Sequence, residues 1–190
     1  IYGELVYNGV KFCSIASIGN MRERTIVISG FSKAFAMTGW RLGYICAPKP
    51  VIDVVYKIHQ YGIMCAPTAA QYAALAALET SFADGFAEVA AMREKYDERR
   101  KYLVGRLNAM GLDCFEPRGA FYAFPCVKST GMDGEEFAYA LLEAKNVAVV
   151  PGGAFGDSGK DFIRISYAYS VEAIKRALDK IEEFLAELKK

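Results

Sequence analysis

Residues 30–43, GFSKAFAMTGWRLG, constrain this chain more than any other stretch. One lysine, Lys33, lies among small residues, and one arginine, Arg41, follows eight positions later between Gly39 and Gly43. The run Thr25-Ile26-Val27-Ile28 leads in and Leu42 to Ala47 leads out, so the pattern predicts a strand, a glycine-bounded loop and a second strand. A lysine amine can form an imine with an aldehyde, and a guanidinium fork can hold a phosphate through two hydrogen bonds. Glycines let the backbone crowd against such a group. The stretch therefore suits chemistry on an anionic, aldehyde-bearing cofactor. Taken singly, either residue is more commonly a solvated charge or half of a surface ion pair.

Around this stretch, apolar strand candidates alternate with helical patterns. Residues 25–29 and 42–47 read as strands, and residues near 50–61 and 69–79 as helices, with Pro48, Pro50 and Pro67 at their starts. That alternation predicts a parallel sheet covered by helices. From Phe82 to Met110, Phe86, Val89, Tyr96, Leu103 and Leu107 recur at helical spacing, and Gly111 is placed as a stop. A helix of this length can bridge two lobes or simply pack against one. Beyond it, 113–115, 120–126, 147–150 and 162–168 read as strands. Asp133 with Glu136 forms a capping-box pattern, and Ser170 caps a last helix whose core face is Ile174, Leu178, Ile181, Leu185 and Leu188. The closing lysine pair suits the negative pole of that helix.

Composition narrows the function classes. With 190 residues and 53% hydrophobic content the chain can bury a core in one large or two small domains. A net charge of +1 leaves no electrostatic footprint for nucleic acid or an acidic membrane. No apolar run is long enough to cross a bilayer, and the first residues carry no targeting pattern, so the expected location is the cytoplasm. No initiator methionine is present, and the chain is read as starting after a cut. Five scattered cysteines (Cys13, Cys46, Cys65, Cys114, Cys126) form no Cys-x-x-Cys pair and are expected to be buried thiols in a reducing compartment. His59, the one histidine, excludes a histidine metal cage; no metal site is expected, and its amphipathic setting favours a packing or surface role.

The stretch 30–43 resembles, position for position, the lysine signature of class I/II aminotransferases dependent on pyridoxal 5′-phosphate (PLP), the aspartate aminotransferase-like enzymes. The resemblance implies that Lys33 forms the imine with PLP and shuttles a proton, and that Arg41 binds the cofactor phosphate. Many members carry a serine where this chain has Gly30; for that phosphate contact Ser29, Ser32 or backbone amides are the substitutes. Tyr2 looks like the tyrosine of the family's Asp-x-x-Tyr element, partner of the ring hydroxyl, although a packing role is commoner for a terminal tyrosine. The aspartate that pairs with the ring nitrogen would lie two residues before Ile1. Arg164, in FIRISY, resembles the arginine that grips the substrate α-carboxylate; alternation alone would place it on a polar strand face. PRGAFY (117–122) and VVPGGAFG (149–156) match the small domain, with Phe155 placed to cover substrate.

The implied fold is α/β: residues 1–81 as the remainder of a fold-type I large, PLP-binding domain, and 82–190 as the inter-domain helix (82–110) with a complete small α/β domain. The resemblance spans the whole chain but only the C-terminal half of a family member. The implied reaction is amino transfer between an L-amino acid and a 2-oxo acid in a homodimer, with the missing N-terminal half as partner and no nucleic acid or membrane. Two alternatives stay open: a PLP-dependent carbon–sulfur lyase on the same scaffold, and a non-catalytic fragment or interaction domain.

Overall fold

In the computed structural model, which describes residues 1–188, the two runs flanking the lysine loop pair with each other. β1 (Val27–Gly30) lies antiparallel to β2 (Gly43–Cys46), with Val27 opposite Cys46 and Gly30 opposite Gly43. The sequence pattern predicted a parallel arrangement. The segment joining these strands contains no α-helix to carry the chain back across a sheet, so the return is antiparallel. α1 (Lys49–Gly62) opens with Pro50 in its first turn, and α2 (Thr68–Asp84) follows Pro67. α2 buries Ala70, Ala74 and Ser81, whereas α1 buries nothing. Ile28 is 73% exposed and Tyr61 87% exposed.

The expected helix from Phe82 to Met110 is broken. α2 ends at Asp84, Gly85 and Phe86 both take left-handed backbone (φ 69° and 64°), and α3 runs Ala87–Ala109. The Asp84 carboxylate accepts the Ala87 N–H at 3.2 Å and so starts the new helix. At its far end Gly111 adopts φ 86°, and the Leu112 N–H donates to the Leu107 carbonyl, closing the helix where glycine predicted. Two compact units divide between Arg93 and Glu94, within α3.

In the second unit β5 (Ile163–Ser166) is the central strand, flanked antiparallel by β3 (Tyr122–Ala123) and β4 (Val150–Pro151). The expected strand 113–115 does not form: the Asn108 side-chain amide exchanges two hydrogen bonds with Cys114, occupying the groups a ladder would need. β4 is short because Pro151 has no N–H to donate. α4 (Gly134–Lys145) begins with the predicted capping box, Asp133 accepting from Glu136 N–H while the Glu136 carboxylate accepts from Asp133 N–H. α5 (Val171–Leu188) buries Ile174, Leu178, Ile181 and Leu185 as expected, together with Phe184, whose ring meets Phe137 of α4 edge-on at 5.5 Å. Leu188 is exposed. Lys189 and Lys190, read as complements to the helix pole, lie outside the described residues.

Among the cysteines only Cys114 is buried, and burial pushes its thiol up to about 11 despite a backbone hydrogen bond at Phe124. Cys13, Cys46 and Cys65 are exposed rather than buried, because they sit on the first unit's largely uncovered surface. His59 is exposed on α1. No helix among the described residues is long and apolar enough to cross a membrane.

Candidate active site

The Phe31–Leu42 loop is held from below by apolar contacts. Phe31 and Met37 are buried with Ala74, and Phe35, Leu42, Ala73 and Leu78 pack around them, so the loop is fastened to α2. Its backbone folds on itself: the N–H groups of Phe35 and Met37 both donate to the Phe31 carbonyl, and Ala36 N–H donates to the Lys33 carbonyl at 3.2 Å. The Thr38 hydroxyl donates to the Ser32 carbonyl at 2.8 Å. Lys33 and Ser32 emerge half-buried between the two apolar anchors. None of these anchors was assigned a role from sequence, although their spacing around the lysine is visible there.

Arg41 is exposed and donates from Nη1 to the Thr38 carbonyl at 2.7 Å. It sits in left-handed backbone (φ 55°, ψ 48°), as does Ala36 (φ 52°). Non-glycine residues held there concentrate at functional sites. The loop's two ends close on facing glycines. A Cβ at Gly30 would stand 2.9 Å from the Leu42 carbonyl oxygen, and one at Gly43 would stand 2.9 Å from that of Ser29. A side chain at either glycine would therefore meet the backbone of the opposing strand. Tyr2 is half-buried; its carbonyl accepts the Leu5 N–H at 2.9 Å, and Leu5 and Tyr7 fix this segment by burial.

Arg164 lies half-buried on β5, in the second unit. Its guanidinium carbon stands 4.5 Å from the centre of the Tyr122 ring and 4.7 Å from that of Phe155. A cavity of about 590 Å³ opens beside it, with Ser166, Tyr169, Arg176 and Lys180 in its lining. Sequence reasoning gave Tyr122 no role, although PRGAFY contains it. It also missed Arg100, which has no exposed surface and pairs with Asp97 at 2.6 Å and Glu116 at 2.7 Å while donating to the Pro117 carbonyl. This cluster ties α3 to the start of PRGAFY. Tyr2, Ser32, Lys33 and Arg41 therefore belong to the first unit, and Arg164 to the second.

The first unit carries a lysine and an arginine on one anchored loop, and the second an arginine on its central strand. The family model for aminotransferase class I and II matches residues 1–181, and the chain belongs to that family. A Bacillus subtilis protein named as an aminotransferase, YugH, is 53% identical over 185 residues, covering 97% of this chain and 47% of its own. The aspartate aminotransferase of Pyrococcus abyssi is 47% identical, covering 100% and 48%. The crystal structure of an aromatic aminotransferase from Pyrococcus horikoshii superposes with a TM-score of 0.95 at 44% identity, covering 100% of this chain and 50% of that one. The chain spans about half the length of the curated relatives it matches.

Members of this family generally depend on PLP. That group needs an amine for its aldehyde, a cation for its phosphate and backbone free of side chains. Lys33 and Arg41 would supply the amine and the cation from one loop, and the residues present fit the group in that respect.

Proposed function

We propose that the protein to which this chain belongs moves amino groups between an L-amino acid and a 2-oxo acid with bound PLP. The observation that carries this reading is the anchored loop with Lys33 and Arg41 between two facing glycines. Aminotransferase names on relatives at 45–53% identity support it. When bound, PLP supplies an aldehyde that condenses with amines and a ring that withdraws electrons from the substrate. Arg41 binds the phosphate, with Ser29, Ser32 or backbone amides in place of the serine that many members carry at the position of Gly30. Tyr2 orients the ring hydroxyl. Arg164 grips the substrate α-carboxylate, and the Lys33 Nζ takes the proton from the substrate Cα.

In this reading residues 1–81 complete a large domain whose remainder lies in an N-terminal half, and 82–190 carry the connecting helix and the small domain. The free thiols suit a reducing compartment, and we place the protein in the cytoplasm as a homodimer. Lys33→Ala in the full-length protein should abolish the visible absorption of lysine-bound PLP and lower turnover by about three orders of magnitude or more. Near-normal transamination in that variant would overturn the assignment. A carbon–sulfur lyase would release oxo acid continuously without an amino acceptor; here release beyond one equivalent per active site is expected only when a 2-oxo acid acceptor is supplied.

A further inference from the structure

Arg164 occupies the central strand of the three-stranded sheet, so its surroundings are set from both sides. On one side Tyr122 of β3 pairs with Ser166, two residues along β5, which places Tyr122 diagonal to Arg164 on the same face. On the other side Val150 of β4 pairs with Arg164, and the chain then turns through Gly152–Phe155 to deliver the Phe155 ring. That turn is fixed in place: Gly152 N–H donates to the Phe162 carbonyl at 2.8 Å, and a Cβ on Gly152 would meet the Phe124 ring at 2.8 Å. The guanidinium carbon thus has one ring centre from β3 at 4.5 Å and one from the turn after β4 at 4.7 Å.

A guanidinium stacked on a ring face keeps its N–H donors free, because they all point outward in its own plane. No carboxylate among the described residues pairs with Arg164. Phe155 is 53% exposed, so its ring is not filling the core. We infer that Tyr122 and Phe155 are positioning residues that hold Arg164 flat, with its fork turned toward a planar carboxylate. The inference rests on the reading of Arg164 as the substrate clamp. Their contribution is preorganisation: a long side chain fixed before binding loses less rotamer freedom when the carboxylate arrives.

The experiment uses the full-length, PLP-loaded protein with Phe155→Leu and Tyr122→Leu, which keep apolar bulk but remove the ring, and Phe155→Tyr, which keeps it. Arg164→Ala runs alongside. The readouts are KM and kcat for the amino-acid substrate of highest turnover, the Kd of maleate as a non-reacting carboxylate by calorimetry, and the absorption spectrum of bound PLP. Each leucine variant should raise KM and the maleate Kd about tenfold, with kcat within about twofold and an unchanged spectrum. Phe155→Tyr should stay within about twofold of the parent throughout. If Arg164→Ala weakens maleate while both leucine variants bind it like the parent, the positioning role is wrong. The same holds if the leucine variants lose kcat and thermal stability with KM unmoved. If Arg164→Ala leaves KM and maleate binding unchanged, the clamp reading itself falls, and this inference with it.

Discussion

Arg41 combines an unfavourable backbone with a useful side chain. Left-handed backbone disfavours an L-residue with a Cβ by about 1–2 kcal/mol, and glycine escapes that penalty. Arg41→Gly should therefore leave the thermal stability of the PLP-free protein unchanged or raise it, while PLP affinity falls at least about tenfold, as for loss of a charged hydrogen bond. Arg41→Lys retains the strain and loses only the fork. Should Arg41→Gly instead melt well below the parent, the Arg41 contact to Thr38 would be structural and the strain argument would fail. The spacing of Lys33 and Arg41 and the small residues around them are plain in the sequence, and the assignment of both to the site rests on that pattern. The left-handed Ala36 and Arg41 were not, since no glycine or asparagine marks either position. The close contact at Gly30 depends on which residue stands across the hairpin, and that is settled only by strand register.

At the scale of elements, the capping box and the Gly111 stop were readable because local residue types suffice for them. The break at Gly85–Phe86 was hidden: the apolar spacing Phe82, Phe86, Val89 continues through it, and periodicity alone cannot see a reversal of backbone hand. The Arg100 cluster was equally invisible, since Asp97 precedes it in α3 but Glu116 arrives from beyond the helix. Partial burial pushes the Asp97 carboxyl up, yet hydrogen bonds from Lys101 and Arg100 outweigh it and hold the group below its ordinary 3.8. A depressed folded value means the unfolded chain binds the proton more readily, so the stabilisation is complete above about pH 4. It is lost as pH falls through the folded value. Asp97→Asn should flatten the acid limb of the stability–pH curve of the full-length protein, measured by denaturant titration. An unchanged slope below about pH 4 would show that the cluster does not act through this carboxyl.

For the molecule as a whole, the first unit presents more apolar surface than a self-sufficient domain keeps. β2 is exposed along its length, α1 buries no residue, and Ile28, Ile58 and Tyr61 are all largely uncovered. Together with relatives about twice as long, this leads us to expect that residues 1–190 alone associate or precipitate. We also expect no transamination from them with PLP, an amino acid and 2-oxoglutarate. Adding a separately expressed N-terminal half should restore solubility and turnover. Full activity from the short chain would refute this account of the site. The α/β class was legible from the alternation of elements, but the antiparallel β1–β2 pairing was not, because apolar runs carry no sign of strand direction.

The facing glycines at the mouth of the lysine loop have a use in protein engineering. Because the chain enters at Gly30 and leaves at Gly43 with the two backbones in contact, the loop hangs from one antiparallel rung. Its anchors Phe31 and Met37 need a helix face like that of Ala73, Ala74 and Leu78 beneath, with Phe35 and Leu42 carried by the segment itself. Such a segment is a graftable cassette. Any hairpin that tolerates two opposed glycines above an alanine-rich helix offers it the same footing, with loop closure already met by the host strands.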